Sequence, residues 1–192
     1  MKENSVQRAI KMIKNFGLKP DSLINNARSL DYLRVEKGGK TSSKNFLNEF
    51  KLGVVVPYQL TISMVDAFHN SFKNVINIGS IYGSVAPNLK LYNNPKKDSV
   101  IQYGVTKSAL EHLTKELAVR LAKNKVRVNC AAFGGLENRN SNSFKKRYSN
   151  LCPSGRMLSD NEIFGPIDML LSNNTSGITG HVLMIDGGWT IW

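Results

Sequence analysis

The segment NVINIGS (residues 74–80) decides the fold class, because it is a short apolar run that ends in glycine and serine. Such a run is typical of a strand that is buried on both faces of a sheet. Similar runs occur at residues 22–25 (SLIN), 125–132 (KVRVNCAA) and 181–188 (HVLMIDGG). Because helical segments separate these runs, the sequence predicts an α/β domain with a parallel sheet and helices on both faces.

Helical spacing of apolar residues predicts a helix over 4–16, a long helical stretch over 44–69, and two more helices over 102–123 and 161–172. Pro57 predicts either a kink in the long stretch or its true first turn. Gly165–Pro166 is a candidate break in the last helix. The polar stretches at residues 28–43, 81–100 and 133–155 are interpreted as loops, and the last has room for one short helix.

Polar or glycine residues follow the predicted strands directly: Asn25–Asn26 after the first, Ser80 after the second and Gly134–Gly135 after the third. Parallel sheets bind their ligands at the carboxyl ends of the strands. The sequence therefore predicts a binding site at this edge of the sheet.

The composition argues against nucleic-acid-binding, membrane and metal-binding proteins. The chain has 192 residues, interpreted as one domain over 1–192, and a formal net charge of +12. The lysines are scattered and no zinc-finger spacing accompanies them, so we expect a solvated basic surface and no nucleic-acid partner. No apolar run has the length of a membrane span, and no secretion signal is recognisable, so we expect no membrane partner. Cys130 and Cys152 lack metal-ligand spacing, which favours reduced thiols, a cytoplasmic location and no metal site.

The stretch YGVTK (103–107) places Tyr103 and Lys107 one turn apart on the same helix face. A free tyrosine has a pKa near about 10, and a neighbouring ammonium ion favours its phenolate form. The two residues therefore predict a proton-transfer pair. Taken singly, Tyr103 could be an aromatic residue at a helix start, Lys107 a solvated lysine, and Ser80 a cap at a strand end.

Five segments in this order resemble the short-chain dehydrogenases/reductases of the classical type: LINNA (23–27), NIGS (77–80), YGVTK (103–107), VRVNCAAFGG (126–135) and TGHVLMIDGGW (179–189). The resemblance implies a Rossmann-like domain, NAD or NADP as cofactor, and a small-molecule substrate with a carbonyl or hydroxyl group. A weaker similarity of the chain's ending to relatives that accompany sugar-modification genes favours a sugar-related substrate.

The same resemblance assigns roles to individual residues. It implies that Tyr103 is the general acid/base, that Lys107 supports it and binds the nicotinamide ribose, and that Ser80 orients the substrate oxygen. It implies that Asn26 and Ala27 line the cofactor pocket. It further implies that Gly134 passes close to the nicotinamide, and that the loop from Leu136 onward shapes the substrate pocket.

The chain also departs from the family pattern. The strands and the glycine-rich turn that normally precede the Asn-Asn-Ala segment have no counterpart before Asn25. We therefore expect a partial, N-terminally truncated domain that lacks the first three strands, the glycine-rich turn and the site for the adenosine half of the cofactor. Arg28 replaces a small residue, Gly53 aligns with a catalytic asparagine, and an insertion separates Ser80 from Tyr103.

Two functions follow from these observations. The first is an NAD(P)-dependent oxidoreductase. The alternative is an inactive remnant of such an enzyme that acts as an oligomerisation or interaction module. In that case the helices at 44–69 and 102–123 would join copies of this chain, or join it to a full-length relative.

Overall fold

The structure is a computed structural model that describes residues 4–192, so the first three residues of the expected 1–192 domain lie outside the described part. The strands are β1 (Ser22–Asn25), β2 (Asn74–Ser80), β3 (Arg127–Phe133) and β4 (Val182–Ile185). The α-helices are α1 (Ser5–Asn15), α2 (Ser43–Phe50), α3 (Val56–Phe68), α4 (Ile81–Ser84), α5 (Pro95–Asp98), α6 (Ile101–Arg120), α7 (Asn142–Leu151) and α8 (Phe164–Leu171).

The four strands form one parallel sheet in the order β1-β2-β3-β4. Alternate residues of β2 point to opposite faces. Val75 packs with helices α3 and α6, whereas Ile76 packs with Leu170 of α8. Both faces are therefore covered, and the predicted α/β fold is confirmed. Because all strands run the same way, their carboxyl ends lie at one edge of the sheet.

The long helical stretch predicted over 44–69 is interrupted. A π-helical turn, Lys51–Val55, joins α2 to α3, and Pro57 stands in the first turn of α3. Proline is well accepted there because its missing N–H would have had no helical partner. Phe50, Val55 and Val56 all keep α-helical backbone angles, so the stretch stays helical throughout and Pro57 stands just after its π-helical turn.

The predicted loops contain more helix than the sequence indicated. The stretch 81–100 holds α4 and α5, and the stretch 133–155 holds the ten-residue helix α7. The break in the last predicted helix lies before Gly165, since a 3-10 turn over Asp160–Ile163 precedes α8. Ser159 and Glu162 form a capping box that stabilises the beginning of this 3-10 turn.

Within residues 4–192, no helix combines the length and the apolar character that crossing a membrane requires. The same described residues contain no cluster of at least three His, Cys, Asp or Glu side chains that could hold a metal ion.

Close packing between the π-helical turn and α6 generates a stability prediction. A Cβ atom at Gly53 would collide with the Thr106 side chain. We expect Gly53→Ala to lower the free energy of unfolding by about 1–3 kcal/mol, because overpacking forces neighbouring groups to shift. Urea unfolding measures this loss. Gly177→Ala is the matched control, since nothing lies within 4 Å of the Cβ position there. Equal stabilities of the two variants would contradict the predicted contact.

Candidate active site

A chain of buried amide and hydroxyl groups ties β1, β2 and α6 together below the carboxyl edge of the sheet. Asn25 Nδ2 donates to Asn77 Oδ1 at 2.8 Å, and Asn77 Nδ2 donates to Thr114 Oγ1 at 2.9 Å. Buried polar groups that satisfy each other in this way fix the relative positions of their elements. They hold the end of β1 in place, so that Asn26 and Ala27 emerge from it exposed at the edge of the sheet.

Lys107 reaches from α6 to β2. Its Nζ donates to the backbone oxygen of Ile78 at 2.6 Å, two residues before Ser80. The same Nζ lies 5.7 Å from the centroid of the Tyr103 ring. Burial lowers the pKa of the Lys107 ammonium group from its ordinary value. The structure thus brings Lys107 and Tyr103 together, as their spacing predicted.

Ser80 ends β2 and is buried. Its Oγ accepts a hydrogen bond from the Tyr82 amide at 3.3 Å and caps the short helix α4. Helix α4 packs on α6 beside Tyr103: a Cβ atom at Gly104 would lie 3.1 Å from the Tyr82 carbonyl oxygen. Ser80 therefore belongs to the segment that packs against the start of α6, although its own Oγ is engaged by the cap.

Gly134 follows Phe133, the residue of β3 that is paired with Ser80. A Cβ atom at Gly134 would lie 2.9 Å from Tyr148 Oη and 3.1 Å from Asp186 Cα. A glycine is required here by the close approach of the chain segments beneath the loop. Leu136 stands two residues further on, where an isolated parallel bridge joins it to Leu158.

Arg28 lies beside the candidate catalytic tyrosine. Its guanidinium carbon is 5.4 Å from the centroid of the Tyr103 ring. Two cations, those of Arg28 and Lys107, are therefore near the same ring, an arrangement that the ring's negative face favours. Arg28 occupies the position that holds a small residue in the resembled family, and it therefore places a positive charge next to Tyr103.

Glu49 was missed by the motif analysis. It lies in the last turn of α2, is only 4% exposed, and its Oε2 atom has no hydrogen-bond partner among the described residues. Burial raises the pKa of its carboxyl group, while the positive charges of Lys107 and Arg28 act in the opposite direction. The only sequence signal was a glutamate between the apolar residues Leu47 and Phe50, four residues before Gly53. Gly53 itself faces Thr106, so its side-chain position does not serve the site.

The inserted segment between Ser80 and Tyr103 is fastened by aromatic residues. Tyr82 Oη and Tyr92 Oη share a hydrogen bond of 2.7 Å, and burial raises the pKa of both phenols. Tyr92 packs on Phe144 of α7 with ring centroids 5.6 Å apart. The insertion therefore forms an ordered cover that joins α4 to α7.

The donor groups at this edge fit the ribose and nicotinamide half of a nicotinamide dinucleotide. Lys107 and Tyr103 offer an ammonium group and a phenol ring close to each other, and the exposed residues Asn26 and Ala27 follow directly after β1. Arg28 is the exception, because a bulky charged side chain occupies the neighbourhood of the Tyr103 ring.

Comparisons with known proteins identify relatives of this chain. Residues 1–190 match the profile of a family described as enoyl-(acyl carrier protein) reductase. The chain is 37% identical over 119 residues to the post-translational flagellin modification protein A of Campylobacter coli, covering 62% of this chain and 46% of that protein. It is 31% identical over 124 residues to the galactitol 2-dehydrogenase (L-tagatose-forming) of Cereibacter sphaeroides, covering 62% of this chain and 46% of that protein.

A solved structure is similar over almost the whole chain. It is a short-chain dehydrogenase from Leptospira borgpetersenii with bound NAD+, at 27% identity and a TM-score of 0.86, covering 98% of this chain and 72% of that one. The chain spans about half the length of the first curated relatives that it matches, 46% and 55%.

The buried carboxyl group of Glu49 generates a prediction on pH and stability. Its pKa in the folded protein is raised above the ordinary value of 4.5, so its contribution to stability is fully present below pH 4.5 and is lost as the pH rises through the folded pKa. We therefore expect Glu49→Gln to be more stable than the parent protein at neutral pH, and this advantage to vanish at acidic pH. Urea unfolding of both proteins between pH 4 and pH 8 measures the difference. A stability difference that does not vary with pH would contradict the assignment.

Proposed function

Because this chain belongs to the short-chain dehydrogenase/reductase family, we propose that its site is that of an NAD(P)-dependent oxidoreductase. The proposed substrate is a small molecule whose carbonyl or hydroxyl group reacts. The observation that carries the proposal is the placement of Lys107: its Nζ is fixed on the Ile78 carbonyl and lies 5.7 Å from the Tyr103 ring, at the carboxyl edge of the sheet.

In the proposed mechanism, the Tyr103 hydroxyl exchanges a proton with the substrate oxygen. The ammonium group of Lys107 stabilises the phenolate that forms when the proton leaves. Ser80 turns its hydroxyl from the α4 cap to the substrate and orients the reacting oxygen. NAD or NADP, when bound, supplies or accepts the hydride.

The proposed cofactor contacts come from the residues at the same edge. Lys107 and Tyr103 would bind the nicotinamide ribose. The exposed segment of Asn26 and Ala27 would line one side of the pocket, and the loop from Gly134 to Leu136 would line the other. Arg28 would lie near the ribose and has to turn away from Tyr103 or bind an oxygen of the cofactor.

The proposed substrate class is a polyol or a sugar-related molecule. The similarity to a galactitol 2-dehydrogenase and to a flagellin modification protein supports it. The paired hydroxyl groups of Tyr82 and Tyr92 in the ordered insertion add hydrogen-bonding groups of the kind that a sugar requires. The two free cysteines, Cys130 and Cys152, support a cytoplasmic location.

Association with a second chain is also proposed, either as a homo-oligomer or with a longer relative. Large apolar side chains are exposed on three neighbouring helices: Leu47 on α2, Tyr58 on α3, and Ile101, Val105 and Val119 on α6. Apolar groups exposed on adjacent helices favour burial against another chain. The same residues support the second candidate function, that of an interaction module.

We expect Tyr103→Phe to lower turnover at least about 100-fold, because the substitution removes the proton donor and leaves the ring in place. Carbonyl reduction and polyol oxidation followed through NADH or NADPH absorbance measure this effect. Binding of NADH, followed by its fluorescence, is expected to persist in the variant. Tyr58→Phe, at an exposed tyrosine of α3, is the matched control. Full activity of Tyr103→Phe, or no binding of either nucleotide to the parent chain, would contradict the oxidoreductase proposal.

For the association proposal, we expect Tyr58→Glu to weaken self-association or binding to a longer relative, because it places a charge in the apolar contact. Sedimentation velocity over a range of protein concentrations measures the effect. Leu89→Glu is the control, since Leu89 is exposed but lies outside these helices. A monomer at every concentration that also fails to bind a longer relative would contradict the proposal.

A further inference from the structure

We propose that Arg28 determines which substrates react: its guanidinium group binds a carboxylate group of the substrate, so that a sugar acid or another hydroxy acid is preferred to a neutral polyol. This rests on the proposed function, because it specifies the substrate of the same site.

The position of Arg28 is the first support. The residue follows Asn26 and Ala27, which come directly after β1, and all three are exposed. The guanidinium carbon of Arg28 lies 5.4 Å from the centroid of the Tyr103 ring. A small molecule whose oxygen meets the Tyr103 hydroxyl group is therefore within reach of the guanidinium group.

The two cations beside the Tyr103 ring differ in how their donors are used. Lys107 Nζ donates to the Ile78 carbonyl at 2.6 Å, which fixes the ammonium group there. Within residues 4–192, the Arg28 guanidinium group forms no ion pair and donates no hydrogen bond. A guanidinium group has five N–H donors. Of the two cations, Arg28 is therefore the one whose donors are left for a ligand.

The other arginines show how this chain normally uses a guanidinium group. Five of them bind an acid or a backbone oxygen of the chain: Arg34, Arg120, Arg127, Arg147 and Arg156. Arg8, which is exposed on α1, has no such partner within the described residues. An arginine without a partner is therefore not by itself a sign of a site. What distinguishes Arg28 from Arg8 is its place beside Tyr103.

Two acids near the strand ends do not take Arg28 as a partner. Asp186 follows β4, and its carboxylate accepts hydrogen bonds from the Gly188 amide at 2.9 Å and from the Thr190 hydroxyl at 2.7 Å. The carboxyl group of Glu49 is influenced by the charge of Arg28, but the residue is 4% exposed and forms no ion pair with it. The charge of Arg28 thus remains available to a ligand.

The chemistry of the guanidinium group indicates the kind of ligand. Its planar fork matches the two oxygens of a carboxylate and donates two parallel hydrogen bonds to them. Such a pair is stronger than the contact of an exposed cation with an aromatic ring, so a carboxylate displaces the Tyr103 ring as the partner of Arg28. A neutral polyol offers no group of this kind, and the difference produces selectivity.

The side-chain signal of Arg28 tests the proposal without turnover. The protein is produced with ¹⁵N-labelled arginine, and the Arg28 Nε–Hε signal is identified as the one missing in Arg28→Gln. Galactonate and galactitol, which differ by a carboxylate in place of a hydroxymethyl group, are added separately, with and without NADH. We expect galactonate to shift the Arg28 signal and galactitol to leave it in place. The Arg8 signal is expected to stay unmoved by both.

Steady-state kinetics tests the effect on selectivity. We expect the ratio of kcat/KM for galactonate to kcat/KM for galactitol to fall at least about tenfold in Arg28→Gln, mostly through KM, because two charge-assisted hydrogen bonds are lost. Arg28→Lys is expected to give an intermediate ratio, since it keeps the charge without the fork. Arg8→Gln is the matched control, because it removes the charge of another arginine without a partner, and it is expected to keep the ratio of the parent protein.

An Arg28 signal that galactonate does not move overturns the proposal, as does an equal loss of kcat/KM for both substrates in Arg28→Gln. A signal that moves with NADH but not with galactonate assigns Arg28 to the cofactor and overturns it too. If Arg28→Gln does not fold, Arg28→Lys identifies the signal and decides the ratio. A protein without turnover whose Arg28 signal responds to galactonate contradicts only the proposed function, whereas an active protein whose Arg28 signal does not respond contradicts only the role of Arg28.

Discussion

The hydrogen bond from Lys107 Nζ to the Ile78 carbonyl is the contact on which the arrangement of the site depends. It pins α6 to the central strand β2 at the level where that strand ends. The backbone oxygens of a parallel strand point along fixed directions, so an anchored lysine has little freedom to turn. Tyr103 stands one helical turn earlier on α6, and the centroid of its ring lies 5.7 Å from the anchored Lys107 Nζ. The hydrogen bond from Asn77 Nδ2 to Thr114 Oγ1 holds α6 on β2 a second time, further along the helix.

The sequence was sufficient to predict a parallel sheet with helices on both faces. A short apolar run predicts a strand reliably when both faces of that strand are covered. The bounds of β1 and β2 in the structure are those that the sequence pattern predicted. The stretch 44–69 was less predictable, because the spacing of its apolar residues does not indicate the π-helical turn at Lys51–Val55. Helix α7 was underestimated, since its residues are mostly polar and its stability comes from Tyr148 packing beneath the loop.

The site was predictable only in part, for a related reason. The spacing in YGVTK indicates that Tyr103 and Lys107 share a helix face, and the structure places them so. The positions of Asn26, Gly134 and Leu136 at one edge follow from the parallel sheet. Arg28 was not recognisable as a neighbour of Tyr103, nor Glu49 as a buried acid, because both features require distant segments to meet in the fold. A single sequence carries motifs reliably, but it does not carry the electrostatic environment that tertiary contacts create around them.

The stack of Tyr148 on Trp189, with ring centroids 4.3 Å apart, has a practical consequence. Trp189 is buried, whereas Trp192, the second of the two tryptophans, is 76% exposed. An aqueous quencher such as acrylamide or iodide reaches the two indoles to very different extents, so their emission can be separated. The protected emission comes from Trp189, which stacks on Tyr148. The Tyr148 hydroxyl group in turn accepts a hydrogen bond from the Gly135 amide. The protein thus contains its own optical probe of the loop after β3, and any ligand that moves this loop will change the protected emission without a label.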